Sequence, residues 1–256
     1  NSPLQVNVEL LRLDTHRSSS NSEQHLDTFY RHFSEVKDNN YDALIVTGAP
    51  LAHLEYDDVA YWDELKVIID WAEQHVTSTL FSCWAAHAAL YHRYNLKRDL
   101  KEDKLCGVFT HQCYFDHGAL TRGFDDTFLV PHSRYGHIDI NKINACDDIV
   151  VLAGSEKVGA YLMKNKSGSQ VFITGHPEYD ADTLKAEYER DLQKSPDAPK
   201  PENYFPDNDA SKKPSKTWQS HAFLLFSNWL NYYVYQTTPY DINLVSQDVR
   251  TNNYAE

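Results

Sequence analysis

Ser78-Thr79-Leu80-Phe81-Ser82-Cys83-Trp84-Ala85-Ala86-His87-Ala88-Ala89-Leu90 changes character at its cysteine. Before Cys83 the run has the pattern of a short buried strand; after it the alanines read as a helix. A nucleophile on a sharp strand-to-helix turn is an elbow: the turn projects the side chain, and the helix N-terminus behind it favours an anion. For cysteine that placement raises the thiolate fraction. Taken alone, the ordinary reading of such a residue is a core thiol, because free cysteine is among the most buried residue types. The rest of the chain decides between the two.

On the N-terminal side, residues 5–13 alternate as a strand, and Ser22 caps a helix with Leu26, Phe29, Tyr30 and Phe33 on its apolar face. Asp38-Asn39-Asn40 ends it. Residues 41–48, Tyr-Asp-Ala-Leu-Ile-Val-Thr-Gly, form an apolar run closing at glycine, as in a parallel strand covered on both faces. The loop Gly48-Ala49-Pro50-Leu51-Ala52-His53 leads to a helix with Trp62, Leu65, Ile69 and Ala72 on one face. The helix after Cys83 runs to about Asn95. This alternation predicts an α/β fold, a mostly parallel sheet with helices on both faces. Such sheets bind ligands beyond the carboxyl ends of their strands, where both Gly48 and Cys83 fall.

Towards the C-terminus, residues 97–104 are a charged connector, and 105–148 mix β-like pieces with turns at Gly118, Gly123 and Pro131. Residues 149–153 and 160–163 read as strands, 170–175 as a further buried strand, and 181–194 as a helix. The span 195–217 holds five prolines and reads as a surface excursion from a single domain over 1–256. A last helix over 218–235 is apolar nearly all round, hence buried or shared with a second copy, which leaves a homodimer open.

Composition narrows the function. The chain is 41% hydrophobic and 24% charged, with net charge −13 from 24 Lys plus Arg and 37 Asp plus Glu. No basic stripe interrupts that field, which argues against nucleic acid; an anionic substrate needs locally placed cations. No apolar run approaches the ~18 residues of a membrane-spanning helix. Four cysteines without CxxC spacing, and a start at Asn1-Ser2-Pro3-Leu4 without signal-peptide character, read as a cytoplasmic protein with reduced thiols.

The second informative feature is Gly175-His176-Pro177-Glu178 at another strand end. A cysteine nucleophile needs a base that accepts and returns a proton, and histidine is the usual one. The base needs a carboxylate to fix its tautomer, and Glu178 lies across one stiff proline. His-Pro-Glu is weak by itself; with a cysteine elbow in an α/β frame it becomes a nucleophile, base and orienter.

The elbow with a downstream His-x-Glu resembles the class I glutamine amidotransferase (flavodoxin-like) fold. A longer set of stretches is closer to one branch: Val46-Thr47-Gly48-Ala49-Pro50-Leu51, Asp58-Val59-Ala60-Tyr61-Trp62, Thr77-Ser78-Thr79-Leu80-Phe81-Ser82-Cys83-Trp84, Thr121-Arg122-Gly123-Phe124-Asp125-Asp126, Pro131-His132-Ser133-Arg134-Tyr135, residues 174–180 and Asn228-Trp229-Leu230-Asn231-Tyr232-Tyr233-Val234-Tyr235. Together they resemble the homoserine O-acyltransferase (homoserine transsuccinylase) family of methionine biosynthesis over nearly the whole chain. That family has a further N-terminal strand, so the resemblance implies that this chain lacks it.

The resemblance implies that Cys83 takes an acyl group from acyl-CoA and passes it to the hydroxyl of L-homoserine, with His176 as base and Glu178 as its orienter. Backbone N–H groups of Leu51 and Trp84 would form the oxyanion hole, and Lys104, Ser133 and Arg190 would bind substrate. Arg190 shares a helix face with Thr183 and Glu187 and is able to clamp a carboxylate. No cofactor is implied; succinyl-CoA or acetyl-CoA is a substrate. Acyl choice in the family turns on the residue after Pro50-Leu51, where glutamate accompanies acetyl transfer. Ala52 leaves that space open and leans towards succinyl, although His53 beside it works the other way. Ala86-His87 and the 110–117 stretch depart from the family, so L-serine stands as an alternative acceptor.

Other classes remain. His111-x-Cys113-x3-His117 has metal-like spacing but lacks a clear fourth ligand, so no metal is expected. A free glutaminase is possible on this fold, but Ser82 and Ala85 replace the glycines that usually flank its cysteine. A non-catalytic binding protein would leave the elbow and the His-Pro-Glu unexplained.

Overall fold

The computed structural model describes residues 4–15, 28–51, 53–114 and 118–245. Its centre is a seven-stranded sheet in the order β3-β4-β9-β8-β7-β5-β6. The strands are β3 (Tyr41–Val46), β4 (Val76–Ser82), β5 (Asp99–Cys113), β6 (Thr127–His137), β7 (Ile149–Ser155), β8 (Gly159–Asn165) and β9 (Gln170–Ile173). Only β3/β4 and β4/β9 pair in parallel; the other four neighbouring pairs are antiparallel. The α/β, amidotransferase-like architecture stands, but the sheet is mixed rather than mostly parallel. Hairpin-like returns through β5–β8 replace helical crossovers, and short connections permit only antiparallel neighbours.

Both faces are covered. Phe81 of β4 and Phe172 of β9 stack with ring centroids 5.5 Å apart, in one core with α2 (Trp62–His75), α3 (Trp84–Tyr94) and α4 (Ile140–Asn144). Leu80, Val171 and Ile173, one residue out of phase, enter a second core with the C-terminal helix. Period-two alternation on strands buried on both sides explains the division. The C-terminal helix runs as α6 (Gln219–Asn228) and then as a π-helix (Trp229–Tyr235). Trp229 Nε1 donates to Ser78 Oγ at 2.9 Å, which ties it to β4. It buries Leu225, Trp229 and Tyr233, while Phe223 and Tyr235 stay exposed. Among the described residues no helix is long and apolar enough to cross a membrane.

Three local expectations change. Tyr30 is not helical: Tyr30–His32 is a strand, β2, parallel to β1 (Leu10–Arg12), between helical Thr28 and Phe29 and the helical turn Phe33–Val36 (α1), while Ser22 and Leu26 lie outside the described residues. Pairing with a distant segment overrides the 3–4 spacing, and Phe33 still reaches the core, edge-on to Trp71 at 5.3 Å. The predicted strand over 5–13 shrinks to β1. The charged connector is strand from Asp99, paired with His137, with a register shift between Leu100 and Leu105. The proline-rich span is tied down at its middle: Glu202 N donates to the Cys106 carbonyl at 2.9 Å, and Val108 N to the Glu202 carbonyl at 2.8 Å. A Cβ on Gly107 would lie 2.4 Å from the Glu202 oxygen, so only glycine admits this contact. Tyr204, Phe205 and Trp218 are buried there with Val108 and Leu184.

Candidate active site

Cys83 stands between β4 and α3 at φ 51° and ψ −114°, backbone that a non-glycine residue rarely adopts. Its N–H donates to the Ile173 carbonyl at 2.7 Å, the last rung of the β4/β9 ladder, and its carbonyl accepts from His87 N at 3.2 Å, the first helical bond. One residue thus ends the strand and starts the helix, which pins the strained turn. As the first helical residue, Trp84 has an N–H without a helical partner, next to the sulfur. Gly48 closes the other side; an added Cβ would lie 3.2 Å from Cys83 Cβ and 3.4 Å from Trp84 N.

His176 follows β9, the strand beside β4, and its N–H donates to the Pro131 carbonyl at 2.8 Å. Its Nδ1 lies 2.7 Å from Glu178 Oε1, which leaves Nε2 for Cys83. Tyr179 stacks on the imidazole at 4.1 Å and 17°. Burial disfavours the imidazolium, but hydrogen bonds to Cys83 and Glu178 outweigh it and raise the His176 pKa to about 10. Glu178 is half-exposed, so its hold is partly screened by solvent.

Beneath this pair lies a buried basic cluster that sequence reasoning did not assign. Arg134, 6% exposed, donates to the carbonyls of Gly136 and Val158, the latter at 2.8 Å, and its Nε faces His132 Nδ1 at 3.5 Å. His132 Nε2 meets His111 Nε2 at 3.1 Å, and His111 Nδ1 reaches the Phe109 carbonyl at 2.9 Å. Read as donors in sequence, this chain satisfies every ring nitrogen with both histidines neutral. Burial and Arg134 agree with that, holding His132 well below its ordinary pKa. Burial lowers Arg134 itself to about 10, offset by negative charge at Cys83. His87, one helical turn past Cys83, is also buried and held neutral by burial and by Arg134 and Arg98. The departure at His87 is thus a packing residue of this cluster. Of the metal-like spacing noted in the sequence, His111 is engaged by His132 and Phe109, and His117 lies outside the described residues.

Ser133, one residue from His132, points to the opposite face of β6. There Glu187 of α5 (Thr183–Lys194) accepts from Ser133 Oγ, from Tyr179 Oη at 2.6 Å and from Lys104 Nζ at 3.3 Å. Lys104 also holds Asp191 at 2.8 Å. Burial alone would raise the Glu187 pKa; the bonds from Ser133 and Tyr179 and the Lys104 charge lower it instead. Cys106 beside them is pushed up to about 11 by burial, so it stays a thiol. Tyr179 joins the two groups, with its ring on His176 and its hydroxyl on Glu187. The signal for Glu187 was its place between Thr183 and Arg190 on one helix face; nothing local marked Tyr179 or Arg134.

Not every expected residue joins the site. Leu51 N–H donates to the Ala49 carbonyl at 2.8 Å and does not face the sulfur unpaired. Arg190 is exposed. Ala52 lies outside the described residues.

Cysteine, imidazole and carboxylate in this order are the apparatus of acyl transfer through a thioester. Comparison with known proteins narrows the class. The family model described as homoserine O-succinyltransferase matches residues 1–240. A homoserine O-succinyltransferase of Pseudoalteromonas translucida is 90% identical over 256 residues, 100% of this chain and 81% of that protein. One from Vibrio campbellii is 51% identical over 253 residues, 99% of this chain and 81% of that protein. Among solved structures, a glutamine amidotransferase of Thermotoga maritima aligns at TM-score 0.54 and 14% identity, covering 89% of this chain and 98% of its own. Another, from Methylobacillus flagellatus, aligns at TM-score 0.55 and 12% identity, over 87% and 94%. At such identity these two speak for the fold alone, the amidotransferase-like one expected from the elbow. By its family match and its relatives, the chain belongs to the homoserine O-succinyltransferase family.

Proposed function

We propose that the protein transfers a succinyl group from succinyl-CoA to the hydroxyl of L-homoserine through a thioester on Cys83, a step of methionine biosynthesis. The observation that carries this reading is the 2.7 Å His176–Glu178 contact with Cys83 on the other side of the imidazole. In the first half-reaction Cys83 Sγ attacks the thioester carbonyl with its proton already held on His176 Nε2. The oxyanion develops beside the Trp84 N–H. Collapse breaks the carbon–sulfur bond to CoA, and His176 returns the proton to the departing thiolate. In the second, His176 takes the homoserine hydroxyl proton as the oxygen attacks the succinyl-cysteine. Collapse then frees the ester and restores the starting Cys83–His176 pair, with the proton from the hydroxyl on His176.

The amino acid brings an ammonium and a carboxylate on one carbon. Glu187 and Lys104, 3.3 Å apart, offer the complementary pair, with Tyr179 connecting them to the base. Charge-assisted bonds of this kind fix orientation as well as affinity.

The test is succinyl-CoA without acceptor, followed by intact-protein mass. A succinyl adduct should appear, disappear on adding L-homoserine, and be absent from Cys83→Ala, which should also lose turnover by about 10⁴-fold or more. An adduct that survives in Cys83→Ala, or none in the parent, would sink the reading.

A further inference from the structure

The loop leaving β3 lies on the nucleophile at its start and is fastened at its far end by a buried cation. Gly48 rests against Cys83 and the Trp84 N–H. At the other end, Arg98 Nη2 donates to the Leu54 carbonyl at 2.7 Å and reaches the Leu51 carbonyl at 3.4 Å. Arg98 is only 6% exposed, and its guanidinium stands 4.8 Å from the Tyr56 ring. These partners are neutral: two carbonyls and a ring. The other tethers of the loop are slighter, an exposed Lys97–Glu55 pair and the His53 ring tilted on Tyr135 at 4.5 Å.

Burying a guanidinium against neutral groups forfeits hydration that an aliphatic side chain would never have had. What the charge supplies is direction, because a planar fork of N–H groups holds carbonyls at fixed angles where an ammonium does not. The grip falls at Leu51, whose N–H is meanwhile turned onto the Ala49 carbonyl. Arg98 therefore fixes the far end of a loop whose first residue, Gly48, rests against Cys83 and the Trp84 N–H.

We propose that Arg98 is a positioning residue for acyl transfer: by holding the carbonyls of Leu51 and Leu54 it keeps Gly48 seated against Cys83 and the Trp84 N–H, and so governs how well that N–H is placed for the oxyanion and which acyl chain is admitted. This rests on the role of Cys83 proposed above. It acts through the loop backbone and never touches the reacting atoms.

The experiment compares the parent, Arg98→Met and Arg98→Lys in three measurements: the burst of CoA release with succinyl-CoA and with acetyl-CoA, the rate of Cys83 alkylation by iodoacetamide, and the thermal midpoint. Alkylation needs the sulfur and His176 but no oxyanion hole. Arg98→Met should slow the burst by about 10- to 100-fold, the range expected for a displaced oxyanion donor or an ångström of misplacement. It should also alter the succinyl-to-acetyl ratio and leave alkylation within about twofold of the parent, while Arg98→Lys recovers part of the burst. Should the methionine variant fail to fold, the lysine variant carries the test with a smaller loss in the burst and unchanged alkylation. A burst within about threefold of the parent in a folded variant, or alkylation falling in step with the burst, overturns the proposal. A parent that forms no acyl adduct overturns the Cys83 reading itself, and the role of Arg98 with it.

Discussion

The two halves of the sheet place their functional side chains in different ways. In the parallel half, β3, β4 and β9 each end in a loop at the same edge, and Gly48, Cys83 and His176 all lie just past a strand end. In the antiparallel half, Lys104, Ser133, His132 and Arg134 lie within β5 and β6. There the two-residue period decides everything. Ser133 joins the charged group around Glu187, while His132 and Arg134, its immediate neighbours, enter a buried cluster beneath Cys83. In the proposed reaction the parallel half supplies the reacting groups, and the antiparallel half a binding wall on one face and an electrostatic floor on the other.

Substitutions break that division in order of size. His176→Ala, in the parallel half, should lower both half-reactions by about 10²- to 10⁴-fold, measured as CoA release and as homoserine-dependent turnover. Near-normal turnover would remove His176 from the role of base. Glu187→Gln, on the binding wall, should raise the KM for L-homoserine about tenfold, as expected for losing a charge-assisted bond, with the CoA burst nearly unchanged. A burst that collapses as in His176→Ala would show that the wall and the chemistry are one unit.

The smallest effect concerns stability against pH, and the halves contribute opposite signs. His176 has its pKa raised from 6.5 to about 10 by Cys83 and Glu178 against burial, so the folded state keeps a proton that the unfolded chain releases. Its contribution is complete below about pH 6.5 and is lost as the pH climbs towards 10. His111 is lowered from 6.5 to about 4, by burial first and Arg134 second, and stays neutral in the fold. Its site costs stability as the pH falls from 6.5 towards 4, because the unfolded chain then binds the proton instead. Thermal midpoints across pH should show His176→Gln flattening the alkaline limb and His111→Gln the acid limb. One substitution flattening both would mean that the halves do not titrate separately.

What the chain determined by itself is the punctuation of the parallel half. A strand, a cysteine and an alanine-rich helix are consecutive in sequence, and His176 and Glu178 are separated by one proline, so local geometry fixes both. The tertiary structure alone decided the antiparallel half and the grouping of its side chains. Tyr30 has helical spacing yet pairs as a strand with Leu10. Glu187 meets Ser133 across 54 residues of sequence and Lys104 across 83. Arg98, inside a stretch that reads as a charged connector, reaches back 44 residues to Leu54. Periodicity and turn residues report which face a segment buries over a few residues. Which distant segment it meets is settled by sheet pairing and burial, which no short window contains.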